Sequence, residues 1–266
     1  MNGKVAKGNR CYAKQQEQVR AEGLTLADSE LKSALRDRVS RILFDDVGRD
    51  RISLALDEVA TTEFEAEHLR EILDQPTVLN DWQVGEALAD AWLTDHRSCK
   101  FPWPSSRDLR NRNASPAGAD LVGLQLQKGS CRLAFGEVKT SFEAKYPPQV
   151  VTSRHGVIRQ LETLRDDRVT KHQLFIYLAH RAPQTDWHEP FQQAAKRYLQ
   201  SEADIILFGV LVRDVSPDVR DLQGRIAKLT EGCPKETSVE LLAFYLPPGT
   251  IPTLAQRINQ LRNAEQ

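Results

Sequence analysis

The sequence has no long apolar run. Its longest, residues 205–212, is eight residues, far short of the roughly 20 needed to span a bilayer. The first twenty residues are polar and lack the apolar core of a signal peptide. The expectation is a cytoplasmic protein with no membrane partner. Cysteine is scarce: Cys11, Cys99, Cys131 and Cys233 lie scattered, with no Cys-x-x-Cys pair. That excludes a disulfide frame or a thiolate zinc site and fits reduced thiols. The six histidines show no His-Glu-x-x-His spacing. No Gly-x-x-x-x-Gly-Lys-Ser/Thr loop binds ATP, so any motor is another chain. Neither sign of charge dominates, since 36 Lys and Arg face 37 Asp and Glu for a net charge of −1. That balance excludes a protein coating nucleic acid by bulk charge. Internal repeats and low-complexity tracts are also lacking.

What is present supports a packed core. Of 266 residues, 40% are apolar and 27% charged, enough for one large domain or two small ones. Lys4, Lys7, Arg10, Lys14 and Arg20 make the start a basic arm. Leu31, Leu35, Val39 and Ile42 recur at helical spacing behind Asp28 and Ser29, and further helices are expected over 52–73 and 78–93. Residues 45–74 hold ten carboxylates against Arg49, Arg51 and Arg70, a local charge of −7. The expected division is a helical N-terminal region over 1–77, basic arm then acidic helices, and a second domain over 78–266.

A proline-containing loop over 96–118 precedes two alternating runs, 120–127 and 131–140, joined by Lys128-Gly129-Ser130. This reads as a β-hairpin. Then come a helix over 153–166 capped by Ser153, buried strands over 173–179 and 205–212, and helices over 190–200 and 218–230. A strand over 239–246 and a helix over 253–262 close the chain. Strands separated by helices indicate an α/β sheet covered by helices.

The chemistry concentrates in the hairpin. Glu137 and Lys139 lie two apart, so they share the face of Leu133 and Phe135, while Asp120 shares that of Val122, Leu124 and Leu126. A turn of two or three residues sets Asp120 opposite residue 138 or 139, within cross-strand reach of Glu137 and Lys139. Carboxylates on a core-facing surface need a cation. Lys139 supplies one charge, and Mg²⁺ suits the rest. Leu79, Trp82, Glu86, Ala89 and Leu93 form a helical stripe with one carboxylate inside it, although Glu is rarely buried unless paired. Any one of these features alone is ordinarily a solvated charge or a turn residue. Their joint occurrence, in this order, is what points to a site.

These residues resemble the PD-(D/E)XK nuclease superfamily over about residues 78–212. The match is a helix with Glu86, then Gly118-Ala119-Asp120-Leu121-Val122-Gly123, then Gly136-Glu137-Val138-Lys139-Thr140-Ser141. Ala119 stands where the motif's name has proline. The resemblance implies a restriction-endonuclease-like mixed β-sheet flanked by helices. It implies Mg²⁺, with Mn²⁺ able to substitute, on Asp120, Glu137 and the Val138 carbonyl, and Glu86 as a ligand directly or through water. Lys139 would orient or help deprotonate the attacking water. The expected activity is metal-dependent hydrolysis of DNA, a reaction in which metal ions activate water and neutralise phosphate charge.

Further residues extend this reading to the substrate. Arg107, Arg110 and Arg112 lie in a loop of local charge +4 with Phe101 and Trp103 interleaved. Arginines meet phosphates and aromatics stack bases, or the two rings pack the loop down. Arg154, Arg159 and Gln160 on the following helix either meet phosphate or form an exposed face. Gln173 and Tyr177 match a Gln-x-x-x-Tyr signature that lies on a helix in some exonuclease relatives; here the segment reads as a strand, so the spacing is treated as coincidence. The acidic helices suggest regulation by a partner. Small nucleases of this kind serve prokaryotic defence beside a helicase or ATPase, and the chain resembles such a Hachiman-like arrangement. The alternative is a catalytically inactive nuclease-fold subunit that binds nucleic acid or protein.

Overall fold

Three consecutive apolar runs build the middle of the molecule. In the computed structural model, which describes residues 3–73, 79–102, 107, 118–127 and 129–264, strands β5 (Ser130–Ser141), β6 (Ile205–Arg213) and β7 (Ser238–Tyr245) lie parallel. Parallel strands buried on both faces read as unbroken apolar sequence, and all nine residues of β6 are buried. The remaining strands are β1 (Asn9–Gln16), β2 (Val19–Thr25), β3 (Cys99–Lys100) and β4 (Leu121–Gln127). Together they form a seven-stranded mixed sheet in the order β1-β2-β7-β6-β5-β4-β3.

Helices cover both faces. One face packs Leu133, Phe135, Leu207 and Leu241 against α7 (Val157–Asp166), α8 (Arg168–Arg181), α9 (His188–Gln200) and α10 (Gln223–Thr230). The other packs Ala134, Val138, Phe208 and Phe244 against α1 (Asp28–Ala34), α5 (Asp81–Arg97) and α11 (Leu254–Asn263). A π-helical turn, Leu35–Val39, joins α1 to α2 (Ser40–Phe44). Helices α3 (Asp46–Leu56) and α4 (Glu63–Leu73) follow, and α6 (Gln149–Thr152) is a single turn before α7. The expected mixed α/β sheet flanked by helices is the observed architecture. No helix among the described residues is long and apolar enough to cross a membrane.

Three local expectations need correction. Residues 9–25 are not a free basic arm but a β-hairpin, whose second strand pairs with β7 from Val19↔Val239 to Thr25↔Tyr245. The hairpin over 9–25 therefore shares a sheet with a strand more than 200 residues away. Residues 173–179 are not a strand but the middle of α8. Asp167 caps that helix by accepting from Val169 N at 3.0 Å, and Lys171, Leu174 and Leu178 turn inward at helical spacing while Ile176 stays exposed. A short apolar run does not separate strand from helix by pattern alone, and the aspartate cap decides it. The helix expected from Ser153 starts instead at Val157, because Gly156 is extended and serves as its N-cap.

Candidate active site

The hairpin is as expected in kind but tighter in register. Gln127 pairs with Ser130, so the turn has two residues, and Gly129 takes the left-handed conformation (φ 73°) that such turns require. Leu121 pairs with Gly136, which sets Asp120 opposite Glu137 and not opposite 138 or 139. The tighter register brings the carboxylates closer. Asp120 Oδ2 accepts Val138 N–H at 2.8 Å, taking the place of a β4 carbonyl just past the paired stretch. A strand residue's N–H and C=O point to the same edge. The Val138 carbonyl therefore faces the edge where Asp120 stands.

Lys139 lies between the two acids. Its Nζ donates to Glu137 Oε2 at 3.2 Å and stands 3.6 Å from Asp120 Oδ2. Glu137 is 2% exposed. Burial first, then the Asp120 charge, push its carboxyl up to about 8. Glu86 joins from α5, pushed up to about 9 by burial and by Asp120 and Glu137, against the pull of Lys139. Burial works to lower the Lys139 ammonium, but Asp120, Glu137 and Glu86 together carry it above its ordinary value. One ammonium does not offset three carboxylates.

Gly85 fixes the approach of α5. A Cβ there would run into Thr140 Oγ1 of β5, so only glycine lets the helix lie this close and deliver the next residue, Glu86, to the end of the hairpin. The helical stripe is correct in direction. Ala89 and Leu93 are buried, Glu86 is half-buried, and Trp82 opens to solvent, so the stripe runs from the core out to the site.

The predicted nucleic-acid residues are less gathered. Arg107 makes a two-pronged ion pair with Asp45, both contacts 2.6 Å, at the αL residue that caps α3. Arg110, Arg112 and Trp103 lie outside the described residues. Arg154 is exposed in the turn between α6 and α7. Arg159 is ion-paired with Glu162 at 3.3 Å. Gln160 is half-buried, and its Oε1 has no hydrogen-bond partner among the described residues. Gln173 and Tyr177 lie on helix α8 and not on the strand expected there.

Two site neighbours carry little sequence signal. Thr140 Oγ1 is buried without a hydrogen-bond partner among the described residues. Arg213, at the end of β6 and paired in register with Ser141, is 0% exposed and donates from Nη2 to the carbonyls of Glu143 (2.7 Å) and Lys145 (3.1 Å). An arginine after an apolar run reads as the first residue outside the strand.

The donors present are carboxylates and a backbone carbonyl, the oxygen set that hard divalent cations take. A bound cation would return the raised carboxyls of Glu86 and Glu137 to their charged form. Among the described residues no three His, Cys, Asp or Glu side chains form a ready-made metal cage, and the acids are linked through Lys139.

The charges predict a pH dependence. Folded Glu86 and Glu137 hold protons up to about pH 9 and 8, against an ordinary value of 4.5, and burial pushes Asp90 from 3.8 to about 7. The stability from these groups is full below their unfolded values and is lost as pH rises through the folded ones. In EDTA, melting temperature should fall between pH 6 and 9. Mg²⁺ should raise it more at pH 8.5 than at pH 6, because metal binding favours deprotonated ligands. A metal-free melting temperature that rises over this range would contradict the arrangement.

A scan against protein-family models and a search of the curated proteins each returned no match.

Proposed function

We propose that this chain is a metal-dependent nuclease that hydrolyses DNA phosphodiester bonds. The observation that carries the reading is the convergence of Glu86, from α5, with Asp120, Glu137 and Lys139 at one end of the hairpin. That convergence, in that chain order, agrees with the PD-(D/E)XK resemblance. Asp120, Glu137 and the Val138 carbonyl would hold Mg²⁺ or Mn²⁺, and Glu86 would join directly or through water. Bound metal supplies Lewis-acid polarisation and a lowered water pKa. Lys139, anchored between two carboxylates, holds its ammonium where an attacking water is oriented.

A partner fits the same reading. Among the described residues, seven of the twelve exposed large apolar side chains fall within residues 47–72, Leu54, Val59 and Phe64 among them, and α4 has no buried residue. Exposed apolar surface of this density marks a protein-contact site. The Arg107–Asp45 pair ties this acidic segment to the loop that precedes Asp120. A helicase or ATPase docked there, in anti-phage defence or DNA processing, would act on the loop and the segment together. This reading expects a gene for such a motor beside the gene for this chain.

The test is incubation with plasmid, linear and single-stranded DNA in Mg²⁺, alone and with the neighbouring motor. The expected result is cleavage that EDTA stops and Glu137→Ala removes. Equal, negligible degradation by wild type and variant under both conditions, with no Mg²⁺-induced rise in melting temperature, would favour an idle nuclease-fold binding module instead.

A further inference from the structure

Two aromatic side chains stand open on the segments that carry the site: Trp82, one helical turn before Glu86, is 38% exposed, and Phe142, just past the end of β5, is 65% exposed. Large aromatics are ordinarily buried in a core of this size, as Trp92 and Trp187 are.

Their placement follows from the packing. Helix α5 runs antiparallel to β7, with Arg97 on Glu240 at 2.7 Å near the start of β7 and Asp81 accepting from Ala255 N at 2.9 Å beyond its end. The first turn of α5 therefore lies at the end of the sheet where β5 finishes. Gly85 and Thr140 oppose each other across that contact. Trp82 is about 4.5 Å outward from Gly85 along the helix. Phe142 follows Ser141, the last residue of β5, two residues beyond Thr140. Both residues thus lie at the end of the sheet where β5 finishes, Trp82 one helical turn before Glu86 and Phe142 three residues beyond Lys139.

Phe142 is held there firmly. Buried Arg213 Nη2 clamps the carbonyls of Glu143 and Lys145. Glu143 N donates to Ser141 Oγ at 3.3 Å, and its carboxylate accepts Gln149 N at 3.0 Å. An exposed ring on a clamped backbone has little conformational freedom left to lose on binding.

We infer that Trp82 and Phe142 form an aromatic rim that stacks on unpaired nucleobases, so that the substrate strand is taken single-stranded or unwound at the point of cleavage. Paired bases offer their faces to each other, whereas unpaired bases offer theirs to the protein. The inference rests on the nuclease reading for the identity of the ligand.

The test is fluorescence anisotropy with labelled dT20 and with a 20-base-pair duplex, in Ca²⁺ and at fixed salt. The wild type is expected to bind dT20 more tightly than the duplex. Trp82→Ala and Phe142→Ala should each weaken dT20 binding by roughly tenfold or more and leave duplex binding within about twofold. Trp82→Phe, which keeps a ring, should retain most of the affinity, and this guards against misfolding of the alanine variant. Unchanged dT20 affinity in both alanine variants, or a wild type that prefers the duplex, overturns the inference. If DNA cleavage still depends on Glu137 in that case, the nuclease reading stands and only the aromatic rim is lost. If Glu137→Ala cleaves like wild type, the nuclease reading itself has failed.

Discussion

Lys139→Ala is expected to slow DNA cleavage by about 10²–10⁴-fold, the range that a positioned proton-transfer or charge-stabilising group supplies. At 1.36 kcal/mol per decade this is about 3–5 kcal/mol of transition-state stabilisation. The ammonium stands 3.2 Å from Glu137 Oε2 and 3.6 Å from Asp120 Oδ2. Its place on β5 is fixed by pairing with Leu211 of β6. Its removal should leave the fold intact, because its side chain is partly exposed and Glu137, pushed up to about 8, can hold a proton beside it. The chemistry has no such substitute, since a proton on Glu137 does not orient water. Lys139→Arg should recover little, because a planar guanidinium does not reproduce a compact point charge. Glu137→Gln should lose as much activity for a different reason, keeping the side chain's shape while losing an anionic oxygen donor. Single-turnover cleavage of labelled DNA in Mg²⁺, with far-UV circular dichroism as a fold control, checks all three. Activity within tenfold of wild type in Lys139→Ala would remove the lysine from the chemistry.

How much of this was legible beforehand depended on how local the determinant is. The hairpin announced itself through alternation on both sides of Gly129, and the order Glu86, Asp120, Glu137-x-Lys139 could be read from the sequence. The register could not, because the sequence leaves open which residues around Gly129 form the turn: 128–129 sets Asp120 opposite 137, 128–130 opposite 138 and 129–130 opposite 139. Helix α8 was hidden behind β-favouring Phe175, Ile176 and Tyr177, although the Asp167 cap was available as a signal. Strand β1 has a polar sequence, Asn9-Arg10-Cys11-Tyr12-Ala13-Lys14, because it is an exposed edge strand. Its partner β2 is defined by β7, more than 200 residues on. No local pattern carries that pairing. Trp82 had the opposite problem. Its apolar stripe predicts burial, and only the end of the sheet beneath α5 determines that it is open.

Asp221→Ala is expected to destabilise the protein by about 3–5 kcal/mol, the cost of leaving a buried charge without its partner. Arg213 and Asp221 are both 0% exposed, and Arg213 Nη1 lies 3.6 Å from Asp221 Oδ1. Burial raises the Asp221 carboxyl and Arg213 opposes that rise. Tyr245 Oη donates to Asp221 Oδ2 at 2.9 Å and lies 3.0 Å from Tyr12 Oη on β1. This short chain of contacts links the edge hairpin, β7 and the end of β6. Removing the carboxylate leaves Arg213 uncompensated, with Nε and Nη1 already lacking hydrogen-bond partners among the described residues. The double variant Arg213→Met, Asp221→Leu should be less damaging than Asp221→Ala alone, because it removes both charges and refills the space. Urea denaturation of the three proteins tests the order, and a double variant less stable than the single one would show that the charge pair is not what matters. Function should separate the two variants further. The double variant gives up the clamp on the Glu143 and Lys145 carbonyls and with it the fixed position of Phe142. It should therefore be more stable than Asp221→Ala and yet bind dT20 more weakly, because Asp221→Ala keeps Arg213 and its clamp.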